Sequence, residues 1–517
     1  MTTADRTAGQ TAATRPTHPP TTSLRALAAW IEAELGVGAE VSGEAALTGI
    51  TLSSERVLAG DLYAALPGAR AHGADFAERA LAAGAVAVLT DPAGAERLDP
   101  GVPLVVVPDP RRLLGRVSAE VYGHPARRLV MVGVTGTQGK TTTTRLLEGG
   151  LAAAGTVPAV VGTVGTRIAG TDVRTALTTP EAPDLHALFA LMVERGVEVC
   201  AMEVSSHALV LGRVDGVVFD VAVFLNLGRD HLDFHDTVEE YYEAKASLFT
   251  PERARRAVVS VDDEHGRRLA GETTLPLATF STGGGEGATW SVTDLEPAPS
   301  RTDFTVLAPG ARYAGGVPLA GAYNVSNALA AIAAAGEAGL DPAAVAQGIA
   351  GLAGVPGRLE SIRAGQDFEV VVDYAHKPDA VEAAVSALRP LTSGRVLVVI
   401  GAGGDRDTGK RPLMGEIAAR LADVVVVTDD NPRTEDPASI RAAVLAGCAL
   451  VPEVERAEVR EEGDRRRAIA WALEQAAPGD IVLVAGKGHE TGQEVHGVVH
   501  PFDDREVVRD LLAGAGT

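Results

Sequence analysis

The chain has 517 residues, a length that predicts about three domains. Its composition, 46% hydrophobic and 22% charged, is typical of a soluble globular protein, and its formal net charge of −22 argues against a nucleic-acid partner, which would need a basic surface. Cys200 and Cys448 lie far apart without metal-binding spacing, and no apolar run approaches the roughly 18–20 residues that cross a bilayer. We therefore expect a cytoplasmic protein without a membrane span, and nothing in the sequence requires more than a monomer.

The N-terminal segment predicts a tail followed by a helix. Residues 1–22 are rich in threonine, alanine and proline and lack an apolar core, so we expect a disordered tail rather than a signal peptide. Ser23 can cap a helix over residues 24–35, where ordered structure is expected to begin.

Residues 23–126 predict a small α/β domain, because short apolar runs alternate with a helical segment at 74–83. Its polar, turn-rich positions are Leu52 to Ser54 and the loop 68–73. These positions could bind a ligand or could be ordinary loops. The strands are predicted at 47–52, 61–65, 85–89 and 104–107.

The next segment predicts a phosphate-binding loop. An apolar run at 129–134 is followed by the residues G-T-Q-G-K-T-T at 136–142 and then by a helix-compatible segment. A strand, a glycine turn and a helix N-terminus bind anions through backbone N–H groups, while Lys140 adds positive charge and the hydroxyl of Thr141 can bind Mg²⁺. The spacing is shorter than the common G-x-x-x-x-G-K-[ST] pattern. The motif predicts ATP or GTP binding, and the alternative is an ordinary strand–helix turn.

Residues 127–353 predict a second α/β domain with three further candidate residues. Glu203 ends one apolar strand and His231 follows the next, at the edge where open α/β sheets bind ligands. Both suit a divalent cation, although each alone could be a capping carboxylate or a loop histidine. Lys245 lies on the apolar face of a helix and either extends its ammonium group to solvent or is held inward, where a desolvated amine is easier to modify. The strands are predicted at 159–161, 199–203 and 218–225, the helices at 182–194 and 237–249, and a hairpin region at 288–306.

Residues 354–517 predict a third α/β domain, whose uniformly apolar strands indicate a parallel sheet covered by helices. The strands are predicted at 369–372, 395–400, 423–428 and 480–485. Three strand-to-helix loops, at 403–407, 430–433 and 486–490, can meet at one edge of this sheet. Their arginines and acidic groups suit a zwitterionic ligand, and the alternative is a surface salt-bridge cluster.

Four residues lie before or at the start of the third domain. Asn324 and Asn327 are three apart at a predicted helix start and either present both amides to one ligand or cap the helix. Arg358 and Asp373 lie where they could contact a nucleotide bound mainly by the second domain.

Seven segments together resemble the Mur ligases of peptidoglycan synthesis: GTQGKTT, MEVSSHALVLGR, NLGRDHLDFH, YYEAKASLF, LAGAYNVSNALAA, GVPGRLE and DYAHKPD. Within that family, GGDRDTGKRPLM, DDNPRTEDP and AGKGHE resemble the tripeptide-forming branch, which adds diaminopimelate or lysine to UDP-N-acetylmuramoyl-L-alanyl-D-glutamate. The resemblance covers the whole chain after the tail. It implies an α/β fold of three domains: a small UDP-binding domain, a central P-loop ATPase domain and a Rossmann-like C-terminal domain that binds the amino acid.

The resemblance also implies the residues of each site. ATP is expected on Gly136, Thr137, Gln138, Gly139, Lys140, Thr141, Thr142, Asn327, Arg358 and Asp373. Mg²⁺ is expected on Thr141, Glu203, His231 and a carbamylated Lys245 (N6-carboxylysine), and Lys140, Glu203, His231 and Lys245 are the expected catalytic residues. UDP-muramoyl dipeptide is expected on Leu52, Ser54, Ala69, Arg70, Ala71, Thr178, Thr179, Ser205, Leu211 and Arg213. Diaminopimelate is expected on Arg406, Asp430, Asn431, Pro432, Arg433, Gly486 and Glu490.

The D-N-P-R segment favours diaminopimelate over lysine, because an arginine there can bind the distal carboxylate that lysine lacks. Three positions depart from the family pattern: Leu177 replaces an asparagine of some members, Leu211 replaces a glutamine, and the loop at Ala69 lacks a polar residue. A lysine-adding ligase, a folylpolyglutamate-synthase-like ligase and a non-catalytic nucleotide-binding switch are the alternatives. The choice between meso- and LL-diaminopimelate stays open.

Overall fold

The computed structural model describes residues 11–175, 177–228, 230–231, 234–284 and 287–514. These residues form two compact units. One contains the chain up to Ser291 and Leu329–Gly348, and the other contains Val292–Ala328 and the chain from Ile349. Both are α/β, as the sequence predicts. Within the described ranges, no helix combines the length and the apolar content needed to cross a bilayer.

The first unit opens with a small α/β layer. Its sheet has the order β2-β7-β6-β5-β4, parallel except for β2. The Ser23 side chain accepts a hydrogen bond from the Ala26 N–H and so caps the first helix, as predicted. The elements are β1 (Thr22–Ser23), α1 (Leu24–Leu35), β2 (Glu40–Ser42), β3 (Ala46–Leu47), β4 (Gly49–Thr51), β5 (Asp61–Ala64), α2 (Ala77–Ala82), β6 (Ala87–Thr90), α3 (Pro92–Ala95), β7 (Leu104–Val106) and α4 (Pro110–Val121).

The structure of the segment before this layer differs from the predicted disordered tail. Residues 1–10 lie outside the described residues, but the rest of the predicted tail contacts distant parts of the chain, and the N–H groups of Thr17 and His18 donate to the Glu194 carboxylate. Arg15 is 6% exposed, pairs with Asp61 (Nη1–Oδ1, 3.3 Å) and donates a hydrogen bond to the Tyr122 hydroxyl. Burial raises the pKa of Tyr122 to about 12, although the positive charge of Arg15 opposes the rise. The prediction of disorder is therefore wrong for residues 11–22, because a buried cation in this segment has partners far along the chain.

The larger layer of the first unit is built on a parallel sheet. Its order is β9-β12-β8-β13-β14-β15, with the antiparallel strands β10 and β11 outside β9. Strands β8, β12 and β13 are buried along nearly their whole length, as uniformly apolar sequence predicts. The elements are β8 (Val130–Thr135), α5 (Lys140–Ala153), β9 (Pro158–Val161), β10 (Thr166–Ile168), β11 (Thr171–Val173), α6 (Ala182–Glu194), β12 (Val199–Glu203), α7 (Ser206–Val210), β13 (Val221–Phe224), α8 (Val238–Ala246), β14 (Ala257–Ser260), α9 (Glu264–Glu272), β15 (Leu277–Ser281) and the start of β16 (Trp290–Ala298).

The two layers of the first unit meet along helix α4, which the sequence analysis did not predict. A Cβ on Gly115 of this helix would lie 2.3 Å from the Asp215 carbonyl oxygen, so only glycine allows the backbones to approach this closely. Two ion pairs add to this contact: Arg111 with Glu181 (2.8 Å) and Arg56 with Asp184 (2.9 Å). The beginning of helix α6 is therefore fixed to the N-terminal layer.

The second unit contains a six-stranded sheet of order β19-β20-β24-β21-β22-β23, parallel except for β19, and two hairpins. The central strands β21, β22 and β24 are fully buried. Two helices, α10 (Ala322–Glu337) and α11 (Pro342–Ala350), contribute residues to both units. The remaining elements are β17 (Arg301–Ala308), β18 (Ala311–Val317), β19 (Glu360–Ser361), β20 (Glu369–Asp373), α12 (Pro378–Leu388), β21 (Val396–Ile400), α13 (Lys410–Leu421), β22 (Val424–Val427), α14 (Pro437–Cys448), β23 (Glu458–Glu461), α15 (Arg465–Gln475), β24 (Ile481–Ala485), β25 (Gly492–Val495), β26 (Val498–Pro501) and α16 (Asp504–Gly514).

The buried pair at Arg15 makes a testable contribution to stability. Arg15→Ala leaves the Asp61 carboxylate buried without its cation, so we expect the free energy of unfolding to fall by roughly 3 kcal/mol. The control is Arg25→Ala, which removes an exposed ion pair with Glu44 and should cost less than about 1 kcal/mol. Urea denaturation of both variants checks this, and equal losses would contradict the structural role of Arg15.

Candidate active site

The phosphate-binding loop has the geometry that its sequence predicts. Strand β8 ends at Thr135, Gly136 and Gly139 have φ of +155° and +87°, and helix α5 begins at Lys140. The Lys140 ammonium group donates to the carbonyl oxygens of Gly136 (2.6 Å) and Thr137 (3.0 Å). The first turn of α5 follows directly, so the N-terminal end of this helix faces the loop, as in other helix N-termini that bind anions. The loop can therefore bind an anion through its backbone and Lys140.

A neighbouring loop after β13 holds the phosphate-binding loop in place. The Asn226 side chain accepts from the Gln138 N–H (2.9 Å) and donates to the Gln138 carbonyl (3.2 Å). The Gly228 N–H donates to the Thr137 hydroxyl (2.9 Å), which also lies 3.2 Å from the Tyr241 hydroxyl. Asn226 was not among the predicted site residues, although it opens the N-L-G-R-D-H segment.

Glu203 lies at the carboxyl end of β12, beside β8, with Val134 as its register partner. Glu203 is 1% exposed, and its carboxylate accepts hydrogen bonds from the Thr163 N–H (2.7 Å) and hydroxyl (3.1 Å). A Cβ at Gly162 would lie 2.2 Å from the Glu203 carboxylate, so the chain needs glycine there. Thr163 is a second residue that sequence reasoning missed.

Lys245 is held inward rather than extended to solvent. It is 1% exposed, donates to the Gly136 carbonyl oxygen (2.8 Å) and lies 4.4 Å from the centre of the Tyr241 ring. His231 has φ of +54°, a conformation that non-glycine residues rarely adopt, and its ring lies 6.0 Å from that of Tyr241. The inward alternative for Lys245 is confirmed, whereas its carbamylation stays a prediction.

The donor set suits magnesium bound together with phosphate oxygens. Within the described ranges, no group of three or more His, Cys, Asp or Glu residues could hold a metal ion. Mg²⁺ is commonly bound by one or two carboxylates or hydroxyls plus the phosphates of a nucleotide, rather than by protein ligands alone. A buried carboxylate at Glu203 and the hydroxyl of Thr141 fit that mode of binding.

Several residues predicted to contact the UDP-muramoyl dipeptide are brought together around Glu203. The Thr179 hydroxyl donates to the Glu203 carbonyl (2.8 Å), and the Thr178 hydroxyl lies 3.0 Å from that of Thr163. Ser205 accepts from Ala208 to cap α7. Arg213 donates to Glu181 (2.8 Å) and to the Thr179 carbonyl (3.3 Å), so this cluster reaches the start of α6, and Leu211 ends α7 beside it.

The residues predicted in the small α/β layer are arranged differently. Ser54 is buried and accepts hydrogen bonds from Arg79, and Leu52 is partly buried. Ala69, Arg70 and Ala71 form an exposed loop. Their contact with a UDP group stays a prediction.

The predicted nucleotide residues of the second unit fall into two groups, Arg358 with Asp373 and Asn327 with Asn324. The Asp373 carboxylate accepts from the N–H groups of Leu359 (2.7 Å) and Ala375 (2.8 Å). Burial raises the pKa of Asp373, although Arg358 and these two hydrogen bonds oppose the rise. Asn327 donates to the Asn324 side chain (3.1 Å), which in turn donates to the Ala320 carbonyl, so the two amides are joined to each other.

The three loops predicted to bind an amino acid meet at the carboxyl edge of the second unit's sheet. Asn431 donates to Glu490 (2.8 Å), and Arg433, with φ of +54°, donates to the Gly404 carbonyl (2.5 Å). A Cβ at Gly403 would lie 3.0 Å from the Arg433 guanidinium group and 4.0 Å from Cγ of Arg406. Arg406, Arg433 and the Glu490 carboxylate therefore lie at one edge of the sheet.

Lys487 is the residue of these loops that sequence reasoning did not select. It is fully buried, and its ammonium group donates to Asn431 and Glu490, at 3.1 Å each, and lies 3.9 Å from the Asp430 carboxylate. The sequence contained an indication of its role, since Lys487 lies in the G-K-G-H-E loop between Gly486 and Glu490, which were predicted to bind the amino acid.

Two aromatic residues beside these loops have shifted pKa values. Burial, with the nearby Glu490 carboxylate, raises the pKa of Tyr374 to about 12. Burial lowers the pKa of His376 to about 4, so its imidazole is neutral at pH 7. The edge therefore combines fixed charges with neutral hydrogen-bonding groups, which suits a polar, zwitterionic ligand.

Comparisons with known proteins agree on one family. Family models match residues 46–122 (Mur ligase family, catalytic domain), 134–335 (Mur ligase middle domain) and 357–488 (Mur ligase, glutamate ligase domain). A Streptomyces coelicolor relative named UDP-N-acetylmuramoyl-L-alanyl-D-glutamate–2,6-diaminopimelate ligase is 56% identical over 481 residues, 93% of this chain and 95% of its own. A Streptomyces avermitilis relative of the same name is 54% identical, with coverage of 96% and 98%. A solved structure of a ligase of this name has 36% sequence identity and a TM-score of 0.66, and the match covers 91% of this chain and 96% of that one.

The contact between Asn226 and the phosphate-binding loop can be tested by nucleotide binding. Asn226→Ala removes two hydrogen bonds to Gln138, so we expect the Kd for ADP to rise about 5- to 30-fold, the equivalent of about 1–2 kcal/mol. The control is Gln366→Ala, whose side chain bonds twice to the backbone of its own loop in the second unit. Isothermal titration calorimetry checks both variants, and an unchanged Kd for Asn226→Ala would contradict the role of this contact.

Proposed function

The chain belongs to the Mur ligase family, and from that premise we propose that it joins diaminopimelate to UDP-N-acetylmuramoyl-L-alanyl-D-glutamate at the expense of ATP. The reaction is a step of peptidoglycan precursor synthesis and takes place in the cytoplasm, with the protein acting as a monomer. The proposed preference for diaminopimelate rests on one observation, the cluster of loop residues Asp430, Asn431, Arg433, Lys487 and Glu490.

The first chemical step activates a carboxylate. An oxygen of the terminal carboxylate of the D-glutamyl portion attacks the γ-phosphorus of ATP, the bond to the β,γ-bridging oxygen breaks, and an acyl phosphate and ADP are formed. Such a transfer needs positioning and charge stabilisation more than covalent catalysis. Lys140, at the phosphate-binding loop, offsets negative charge on the migrating phosphoryl group. The cluster of Thr178, Thr179, Ser205 and Arg213 orients the dipeptide.

The second step forms the amide bond. The neutral amine of diaminopimelate attacks the acyl carbon, and the tetrahedral intermediate expels inorganic phosphate while the amine loses a proton. Arg433 binds the distal carboxylate of diaminopimelate, and Asp430 and Glu490 bind its ammonium group. Arg406 adds a second cation at this edge.

Magnesium, when bound, offsets charge on the phosphates. Thr141, Glu203, His231 and a carbamylated Lys245 are the residues that we propose hold it. Lys245 is suited to carbamylation, because its amine is removed from water and addition of CO₂ replaces a buried cation with an oxygen ligand. Asn327, Arg358 and Asp373 contact the nucleotide.

Product analysis separates this proposal from its rivals. Phosphate release from ATP and tripeptide formation, followed by mass spectrometry, should require UDP-muramoyl dipeptide and diaminopimelate together. Turnover with lysine instead would indicate a lysine-adding ligase, and turnover with glutamate and a folate would indicate a folylpolyglutamate-synthase-like enzyme. No turnover with any muramoyl substrate would favour a nucleotide-binding switch. Separate assays with the meso and LL isomers identify the stereochemistry.

If Lys245 acts as a carbamate, another positively charged side chain cannot replace it. Lys245→Ala and Lys245→Arg should both lose about 100-fold or more in kcat, a magnitude typical of losing one charge-stabilising group. The control is Tyr242→Phe, on the same helix as Lys245, which removes a hydroxyl contact with Glu272 of α9 and should retain activity. Recovery of normal turnover by Lys245→Arg would contradict the carbamate.

The proposed role of Arg433 predicts a selective effect on the amino acid. Arg433→Ala should raise the KM for diaminopimelate about 10- to 100-fold, because a charge-assisted hydrogen bond of about 1.5–3 kcal/mol is lost, while the KM for ATP changes little. Arg420→Ala, which removes a surface pair with Glu416 in the same unit, is the matched control. Steady-state kinetics measures both constants, and equal rises for diaminopimelate and ATP would place Arg433 outside the amino-acid site.

A further inference from the structure

A fully buried ion pair lies at the carboxyl edge of the second unit's sheet. The side chains of Arg465 and Asp504 are each 0% exposed and form two parallel bonds, Nε–Oδ1 and Nη2–Oδ2, at 2.7 Å each. Arg465 is the first residue of α15 and Asp504 is the first residue of α16. Neither residue belongs to the loops predicted to bind the amino acid.

The same guanidinium group also reaches the backbone of two of those loops. Arg465 donates to the carbonyl oxygen of Ala485 (Nη2, 2.9 Å) and to that of Asp429 (Nη1, 3.4 Å). Ala485 immediately precedes Gly486, and Asp429 immediately precedes Asp430. One side chain therefore fixes the points at which both loops leave the sheet.

Strand pairing does not join these two points directly. The two loops follow β24 and β22, which are separated by β21 in the sheet. Beyond the strand ends the loops approach closely, because a Cβ at Gly486, which has φ of +120°, would lie 2.5 Å from the Asp430 carboxylate. Asp504 holds the guanidinium plane at the correct angle for both carbonyl groups through its two bonds.

We propose that Arg465, oriented by Asp504, is a positioning residue that sets the distance between the Asp430–Arg433 and Gly486–Glu490 loops and thereby the affinity for the amino acid. The inference rests on the proposed function for the identity of that amino acid. Arg465 acts through Asp430, Asn431 and Glu490 and does not touch the substrate. A small displacement of such loops misaligns several charged contacts together, so the effect on binding exceeds that of one lost hydrogen bond.

Arg465→Lys tests this role, because one ammonium group cannot bind a carboxylate through two parallel bonds and also reach two separate carbonyl groups. We expect the KM for diaminopimelate to rise about tenfold or more, with the KM values for ATP and UDP-muramoyl dipeptide within about twofold of wild type. The matched control is Arg395→Lys, which alters the pair with Asp480 (2.8 Å) at the opposite ends of β21 and β24. Arg395→Lys should lower the melting temperature but should not selectively raise the KM for diaminopimelate.

Hydrogen exchange gives a second readout that does not depend on the reaction. Arg465→Lys should accelerate amide exchange in residues 429–433 and 486–490 together, whereas Arg395→Lys should not. If Arg465→Lys does not fold, Asp504→Asn takes its place with the same expected results. An unchanged KM for diaminopimelate, equal rises in all three KM values, or unchanged exchange in both loops would overturn the inference. Wild-type protein that forms no tripeptide would refute the proposed function, and the exchange result alone would then decide the positioning role.

Discussion

The carbonyl oxygen of Gly136 accepts hydrogen bonds from two lysines, Lys140 at 2.6 Å and Lys245 at 2.8 Å. Lys140 begins helix α5 directly after the phosphate-binding loop, whereas Lys245 reaches the same oxygen from helix α8 and is 1% exposed. This one backbone oxygen therefore joins the loop to helix α8 and fixes the distance between the two lysines. In the proposed function one lysine offsets charge on the migrating phosphoryl group and the other is the carbamylation site, so the geometry of phosphoryl transfer depends on this contact.

Both units place their candidate residues at the carboxyl ends of parallel strands, where loops can vary while the buried strands stay fixed. In the first unit, Glu203 and the phosphate-binding loop follow the adjacent strands β12 and β8. In the second, the loops after β22 and β24 follow strands that are not adjacent, so buried side chains have to connect them. Arg465 connects the two loops at the points where they leave the strands, and Lys487 connects side chains within the loops.

Local sequence patterns predicted much of this arrangement. The strand, glycine turn and helix around Gly136 and the cap at Ser23 depend on neighbouring residues, so the sequence contains the information directly. Contacts between distant residues were missed. Asn226 lies 88 residues from Gln138, and Arg15 lies 107 residues from Tyr122, and no local pattern encodes those pairings. The inward position of Lys245 stayed undecided for the same reason, since its partner Gly136 is on another element.

In the proposed mechanism, ATP activates the substrate carboxylate by phosphorylation. Oxygen transfer tests it most directly, with UDP-N-acetylmuramoyl-L-alanyl-D-glutamate labelled with ¹⁸O in its terminal carboxylate. An acyl phosphate requires a carboxylate oxygen to leave with the phosphoryl group when the amine attacks. We therefore predict that the inorganic phosphate released with each tripeptide contains one ¹⁸O atom from that carboxylate, as measured by mass spectrometry. Tripeptide formation with unlabelled phosphate would contradict activation through an acyl phosphate.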